Sequence, residues 1–331
     1  MSSPAVSPDA ANLSESKRAL LQKLLRADGA MPPIGAIARP AMPNPAMHSS
    51  AHPRVPVVTL QAGTSKRPFF YLHVHWQGGA PYCFALGKKL GPDYPIYLLD
   101  PYRFDQLAAP PTIEEMAAAY IQSMRSVQPE GPYSIGGFCG ASLVAYEMAQ
   151  QLLRDGQGIE LLVFVEPMAG PIRMSRLAGR IARRIAGSPQ GQLDWFLRMR
   201  HLLKVIRRTE DEFTEGADRL MRRWCQDHGR RFGILPPAGA LRLDWLATFA
   251  FPVSGYRPRP YPGRMTYILA RDNRDGRRLW WGRPTPSHNV EIHMVPGDNV
   301  TCRTIHAEEL TDRLRLLISR AQDSSGASRA V

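Results

Sequence analysis

No apolar run in the sequence approaches the ~20 residues of a membrane-spanning helix, so no such span is expected. The opening residues MSSPAVSPDAANLSESKRALL lack the apolar core of a secretory signal, and none is expected. Cysteine is scarce: Cys83, Cys139, Cys225 and Cys302 are widely scattered, with no pair at metal-ligand spacing. This predicts no metal site and fits reduced thiols in a cytosolic protein. Acidic residues are also few, 29 Asp and Glu against 42 Lys and Arg, for a net charge of +13. That balance favours acidic partners. Nucleic acid is supported by charge alone, because the arginines are spread over helical stretches and form no known nucleic-acid module. An acidic protein or a phosphate-bearing substrate fits as well, and so does a plain solvated helical surface. Hydrophobic residues are ample. At 44% of 331 residues they can fill one large α/β domain or two small ones.

Residues 1–56 differ in composition from the rest. Residues 1–28 contain a short amphipathic stretch, with Leu20, Leu21, Leu24 and Leu25 along one stripe. Residues 29–56 are rich in Pro, Ala and Met and predict an extended linker. A folded domain is expected over 57–321. Strands are predicted at Val57 to Leu60, Pro68 to His73, Pro95 to Leu99, Tyr133 to Ile135, Glu160 to Val165, Gly263 to Ala270 and Glu291 to Val295. Helices are predicted from Tyr82 to Leu90, from a capping box at Thr112-Ile113-Glu114-Glu115 to about Val127, and from Glu308 to Ile318. Between about 168 and 257 the strand pattern gives way to a helical insert. Its stretch from Arg173 to Arg231 holds fifteen basic residues against seven acidic, an excess of eight. Residues 322–331 are polar and predict a disordered tail. Alternating strands and helices with apolar strands predict an α/β fold, a mostly parallel sheet covered on both faces. Sites in such sheets lie beyond the carboxyl ends of the strands, where His73, Cys139 and Glu166 all fall.

The stretch Tyr133 to Gln150, YSIGGFCGASLVAYEMAQ, reads as a strand, a turn of small residues and a helix. That is the context of a nucleophile elbow, usually written G-x-S-x-G. Here the frame is Gly137-Phe138-Cys139-Gly140-Ala141, with a thiol in place of the hydroxyl. Small neighbours let strand and helix approach closely around a strained residue. The Gly140 N–H becomes one oxyanion donor, and the helix N-terminus is expected to lower the thiol pKa. A buried structural cysteine in a glycine-rich β-α turn fits the same pattern. Ser142 is a poor rival nucleophile, since Leu143 and Val144 follow it.

The run PPTIEEMAAAYIQSMRSVQPEGPYSIGGFCGASLVAYEMAQQL, with the closing VPGDN and EELTDRL, resembles the thioesterase domains that release products from nonribosomal peptide synthetases and polyketide synthases. The resemblance runs from Val57 to Ile318 and implies an α/β-hydrolase with a helical lid inserted after the sixth strand. It implies Cys139 as nucleophile and Glu166 as the acid, with Asp272 as the alternative acid. A second oxyanion donor is implied in the loop after His73, where His75 is the choice. It implies no cofactor: the substrate is an acyl chain on the phosphopantetheine of an acyl or peptidyl carrier protein or assembly-line module.

The closing motif departs from the family. Where the family carries its catalytic histidine this chain has Asn299, and an amide accepts no proton near neutral pH. His75 is the alternative base; His73, His288, His293 and His306 are further substitutes. A thiol attacks a thioester with less help than a hydroxyl needs, whereas transfer to water still needs a base. The pattern therefore weakens hydrolysis more than loading, cyclisation or acyl transfer. The competing reading is an impaired homologue that binds a carrier protein or its intermediate.

Overall fold

The computed structural model describes residues 55–63, 66–73, 81–102, 107, 109–168, 173–207, 238–273 and 289–327. The expected N-terminal helix over 1–28 and nearly all of the 29–56 linker lie outside these residues. So do His75 and His288, and, from the basic stretch Arg173 to Arg231, the arginines Arg208, Arg222 and Arg223.

Seven strands form one sheet: β1 (Val57–Gln61), β2 (Phe69–Leu72), β3 (Ile96–Leu99), β4 (Tyr133–Phe138), β5 (Ile159–Val165), β6 (Met265–Ala270) and β7 (Val290–Val295). Their order is β1-β3-β2-β4-β5-β6-β7. Among the described strands, only the β1 and β3 pair is antiparallel. The described helices are α1 (Pro81–Leu90), α2 (Ile113–Arg125), α3 (Ala141–Arg154), α4 (Arg173–Ile185), α5 (Pro189–Arg207), α6 (Ala238–Arg242), α7 (Trp245–Gly255) and α8 (Ala307–Ala327).

The central strands are largely apolar and buried because helices cover both faces. Alternate side chains therefore enter different cores. Phe70 and Leu72 of β2 join one core with α2 and α3 residues such as Met116, Tyr120, Val144 and Met148. Phe69 and Tyr71 join the other, with Leu310, Leu314 and Ile318 of α8. The start of α2 follows the sequence reading: the Glu115 N–H donates to Thr112 Oγ1 at 3.2 Å, and the Thr112 N–H to Glu115 Oε2 at 2.8 Å.

The helical insert leaves the sheet after the fifth strand of this chain, not the sixth. It has a small core of its own, in which Ala178, Ala182, Phe196, Leu197 and Phe251 meet. Helix α7 ties that core to the body, since Phe249 and Val253 enter the main core.

Both ends of the domain extend further than expected. Val55 is buried in the main core, so the linker stops short of Pro56. The terminal helix runs to Ala327, past Ile318 and into the expected tail. There the buried Gln322 donates to the Arg67 carbonyl at 2.9 Å, and Asp323 lies 3.7 Å from Lys66 Nζ. Residues that read as polar tail are held by the lead-in to β2.

Strand β4 also reaches further, to Phe138, because its glycines are demanded by packing. A Cβ on Gly136 would lie 2.6–2.7 Å from the rings of Phe69 and Tyr71. One on Gly137 would lie 2.7–2.8 Å from the backbone of Ser142, in the first turn of α3. Gly137→Ala should therefore cost about 1–3 kcal/mol, the range for overpacking, read as a lower urea midpoint. An unchanged midpoint would show that strand and helix separate freely.

Candidate active site

The carboxyl ends of β4 and β5 build the centre of the site. Phe138 and Val165 are paired in the sheet, so the residues that follow them, Cys139 and Glu166, emerge side by side. Both have left-handed backbones, φ 50° at Cys139 and 45° at Glu166. Such geometry in non-glycine residues costs on the order of 1–3 kcal/mol each. Hydrogen bonds hold it: the Cys139 N–H donates to the Val165 carbonyl at 3.0 Å, and the Glu166 N–H to the Ile268 carbonyl at 2.9 Å. The Cys139 carbonyl accepts from Ser142 and Met168, each at 3.2 Å. Ser142 is fully buried with its hydroxyl donated to the Gly137 carbonyl at 2.7 Å, which removes it as a rival nucleophile.

Cys139 keeps part of its surface open, yet is packed closely enough that burial is the leading influence on its thiol and pushes the pKa up. The Gly140 N–H, the positive charge of Arg303 and the side-chain amide of Asn299 all act on the sulfur and pull the other way. The charge of Glu166 adds slightly to the upward push. The expectation that the helix N-terminus makes this a low-pKa thiol is thus reversed. Desolvation of the anion outweighs the donors around it.

Asn299 reaches Cys139 because the closing loop is tightly made. Gly297 turns with φ 84°. Asp298 Oδ1 accepts from the Val300 and Thr301 N–H groups at 2.9 and 2.8 Å, and from Thr301 Oγ1 at 2.8 Å. These bonds start a short 3₁₀ turn, Thr301–Arg303. The Asn299 side-chain amide therefore faces the thiol.

Glu166 is buried, and burial raises its carboxyl pKa. The Ala270 N–H and the Asn273 amide donate to its two oxygens and oppose that shift, while the nearby charge of Asp298 adds to it. Asp272 is exposed beside this cluster, and its backbone N–H donates to the Gly297 carbonyl at 2.9 Å. The carboxylate brought to Cys139 is that of Glu166.

The described histidines among the candidate bases, His73, His293 and His306, each lie beside a carboxylate. His73 is buried with Nε2 3.5 Å from Asp100 Oδ1. His293, on β7, lies 2.7 Å from Glu291 Oε1. His306 packs against Gly297, with Nδ1 3.6 Å from Glu309 Oε1. Sequence reasoning missed two residues at the site, Arg303 and Asn273. Among the described residues no cluster of side chains could hold a metal ion.

Lid and elbow meet at a small apolar cavity where Phe249 of α7 faces Ala141, Val144 and His73. A larger polar cavity, about 350 Å³, lies at the other end of α3, between Glu147, Arg154, Arg257 and Arg259. The rise of about 1.5 Å per helical residue separates it from Cys139, and it plays no part in this site.

A mostly parallel sheet, a helical insert after β5 and a strained residue between β4 and α3 define an α/β-hydrolase architecture. Residues 72–316 match the thioesterase domain family, and the chain belongs to it. It is 38% identical over 112 residues to the dimodular nonribosomal peptide synthase of Bacillus subtilis (strain 168), over 33% of this chain and 5% of that one. It is 33% identical over 111 residues to polyketide synthase PksR of the same organism, over 33% of this chain and 4% of the synthase. The chain thus spans a small part of the curated relatives it matches. The NocB thioesterase domain, solved as a covalent complex with a fluorophosphonate nocardicin G analogue, shares the fold. Its TM-score is 0.51 at 22% identity, over 80% of this chain and 98% of that one. No described helix is long and apolar enough to cross a membrane.

With burial holding the thiol above its ordinary value, alkylation of Cys139 should keep accelerating above about pH 8.5, the usual thiol pKa. The anion is the reactive form, and raising the pH restores it. The check is the iodoacetamide rate against pH, with the site identified by peptide mass. A plateau already reached at neutral pH would contradict the burial argument.

Proposed function

We propose that this domain takes an acyl chain from a phosphopantetheine carrier thioester onto Cys139 and passes it to an acceptor more nucleophilic than water. The observation that carries the reading is the Asn299 amide directed at the Cys139 sulfur where the family has its base. Cys139 loses its proton to solvent and attacks the thioester carbonyl as the anion, and a carbon–sulfur bond forms. The developing oxyanion is stabilised by the Gly140 N–H. Collapse breaks the bond to the carrier sulfur, which leaves as a thiolate and takes a proton from solvent. The acyl group is then on Cys139.

The second half of the cycle is where the amide matters. Asn299 donates hydrogen bonds but accepts no proton near neutral pH, so water at the acyl-enzyme gains no general base from it. An amine or thiol acceptor needs less activation, which favours transfer or cyclisation over hydrolysis. Glu166 is held by Ala270 and Asn273 at the location from which a family acid would orient a histidine. Its place supports the reading of Glu166, rather than Asp272, as the acid.

The relatives named above are synthases of nonribosomal peptides and polyketides, so the proposed partner is an acyl or peptidyl carrier protein of such a pathway. Exposed Arg180 and Arg184 on the lid suit an acidic partner. Arg183 does not serve this purpose. Its guanidinium donates to the Phe251 carbonyl at 2.9 Å and stacks on the Phe251 ring at 4.5 Å. The alternative reading, a carrier-binding homologue without turnover, is favoured by the same amide together with the raised thiol.

Intact mass after incubation with an acyl-thioester surrogate separates the two. The domain should gain one acyl mass, and Cys139→Ala should gain none. An adduct that persists in the alanine variant would mean a different nucleophile; no adduct on the wild type would favour the binding role.

Asn299→His should raise hydrolysis of a model thioester by at least roughly tenfold, at or below the low end of the ~10²–10⁴ typical of general acid-base catalysis. The expectation follows from the loop facing the thiol and from Glu166 standing ready beside it. A folded variant with unchanged turnover would sink the claim that position 299 is the vacant base.

A further inference from the structure

Three influences oppose the desolvation of an anionic Cys139. The Gly140 N–H belongs to any elbow of this design, and the Asn299 amide occupies the family's base position. The third, Arg303, comes from outside that frame. The 3₁₀ turn Thr301–Arg303 begins two residues after Asn299. It sets the Arg303 guanidinium over the ring of Phe138, 5.1 Å from the centroid. Phe138 is buried at the end of β4 and immediately precedes Cys139. A guanidinium lying on an aromatic face is held there by the ring's quadrupole and by its own planarity. The ring therefore acts as a seat for a fixed positive charge beside the elbow.

Among the described residues, the charged groups that act on the thiol are Arg303 and Glu166. Arg303 stands on the 3₁₀ side and Glu166 on the β5 side. Asp298, in the closing loop, acts on Glu166 and on the neighbouring buried thiol of Cys302, which also feels Arg303. Arg303 is the cation in this group.

We propose that Arg303 is a positioning residue for the nucleophile, supplying to an anionic Cys139 the positive charge that an imidazolium at position 299 would otherwise provide. The inference rests on the reading of Cys139 as the nucleophile. It also divides the work of the missing histidine into two parts. A histidine beside a thiol both stabilises the anion, as a cation, and accepts a proton, as a base. A guanidinium performs only the first task, because it stays protonated at all accessible pH values. Arg303 thus favours attack on the incoming thioester and gives no help to a water molecule attacking the acyl-enzyme.

The test uses a reagent that needs no carrier and no acceptor. Iodoacetamide alkylation of Cys139 is followed against pH, with peptide mass locating the label, for the wild type, Arg303→Gln and Arg303→Lys. Arg303→Gln is expected to move the midpoint to higher pH and to slow alkylation at neutral pH about tenfold, the change in thiolate fraction for one pKa unit. Arg303→Lys, which keeps the charge but loses the planar stack, is expected to recover most of that rate. A folded Arg303→Gln protein with an unchanged midpoint would overturn the proposal, since a purely structural arginine moves stability and leaves the pH profile alone. Should Arg303→Gln fail to fold, Phe138→Leu removes the seat and leaves the charge unanchored. Its midpoint must then also rise, and no rise overturns the proposal. Absence of Cys139 labelling in the wild type at every pH would be a different failure, that of the nucleophile reading, and would take this inference with it.

Discussion

The contact between the end of β4 and the first turn of α3 is the constraint on which the rest depends. Gly137 lies so near Ser142 that no side chain fits between them. The chain can reverse from strand to helix in that space only with Cys139 in a left-handed backbone. The cost is met by the surrounding sheet. β5 anchors the Cys139 N–H, while Ser142 ties the helix back to Gly137 through its hydroxyl. The parallel register then repeats the device one strand over, at Glu166. Two strained residues at neighbouring strand tips are over-determined by their hydrogen bonds, which is how such conformations persist.

That arrangement places a thiol and a carboxylate together in a poorly hydrated corner, an unfavourable pairing for two groups that both ionise to anions. The structure relieves the carboxylate with two donors, Ala270 and Asn273. It relieves the thiol with the Gly140 N–H, the Asn299 amide and the Arg303 charge. Neither relief is complete, because burial keeps both pKa values above their ordinary ranges. An ordinary catalytic triad would place an imidazole between these two groups. Here the closing loop is held by Asp298 so that its amide reaches the sulfur, and the carboxylate is satisfied separately.

Much of this was legible from the chain. The strand-helix alternation, the Thr112 cap and the glycine-framed cysteine are local patterns, and local patterns survive in the folded structure. The match of residues 72–316 to the thioesterase family agrees with the motifs from which that resemblance was read. Other features depend on partners distant in sequence and left no local trace. Asn273 meets Glu166 across 107 positions, and attention to Asp272 missed by one residue the side chain that touches the acid. Arg303 stands on a three-residue turn too short to carry a periodic signal. The thiol's direction of shift was misjudged for the same kind of reason: a helix N-terminus can be read from sequence, but the degree of enclosure cannot. The terminal helix outran its prediction because Gln322 and Asp323 look like tail residues until Arg67 and Lys66 are set beside them.

Among the described residues, the three groups that stabilise an anionic Cys139 have one property in common. A backbone N–H, a side-chain amide and a guanidinium each stabilise negative charge, and none accepts a proton near neutral pH. On the proposed reading this favours the step in which charge moves from one sulfur through an oxyanion to another sulfur, a sequence that needs no further proton removed once Cys139 has ionised. It gives no comparable help to a step that begins from a neutral acceptor with a proton to lose. Selection among acceptors then passes from the enzyme to the acceptor's own basicity and nucleophilicity. Water, poor in both, is disfavoured without any wall or gate to exclude it. On that reading a single amide at position 299 acts as a specificity element, by offering no proton acceptor to an attacking water.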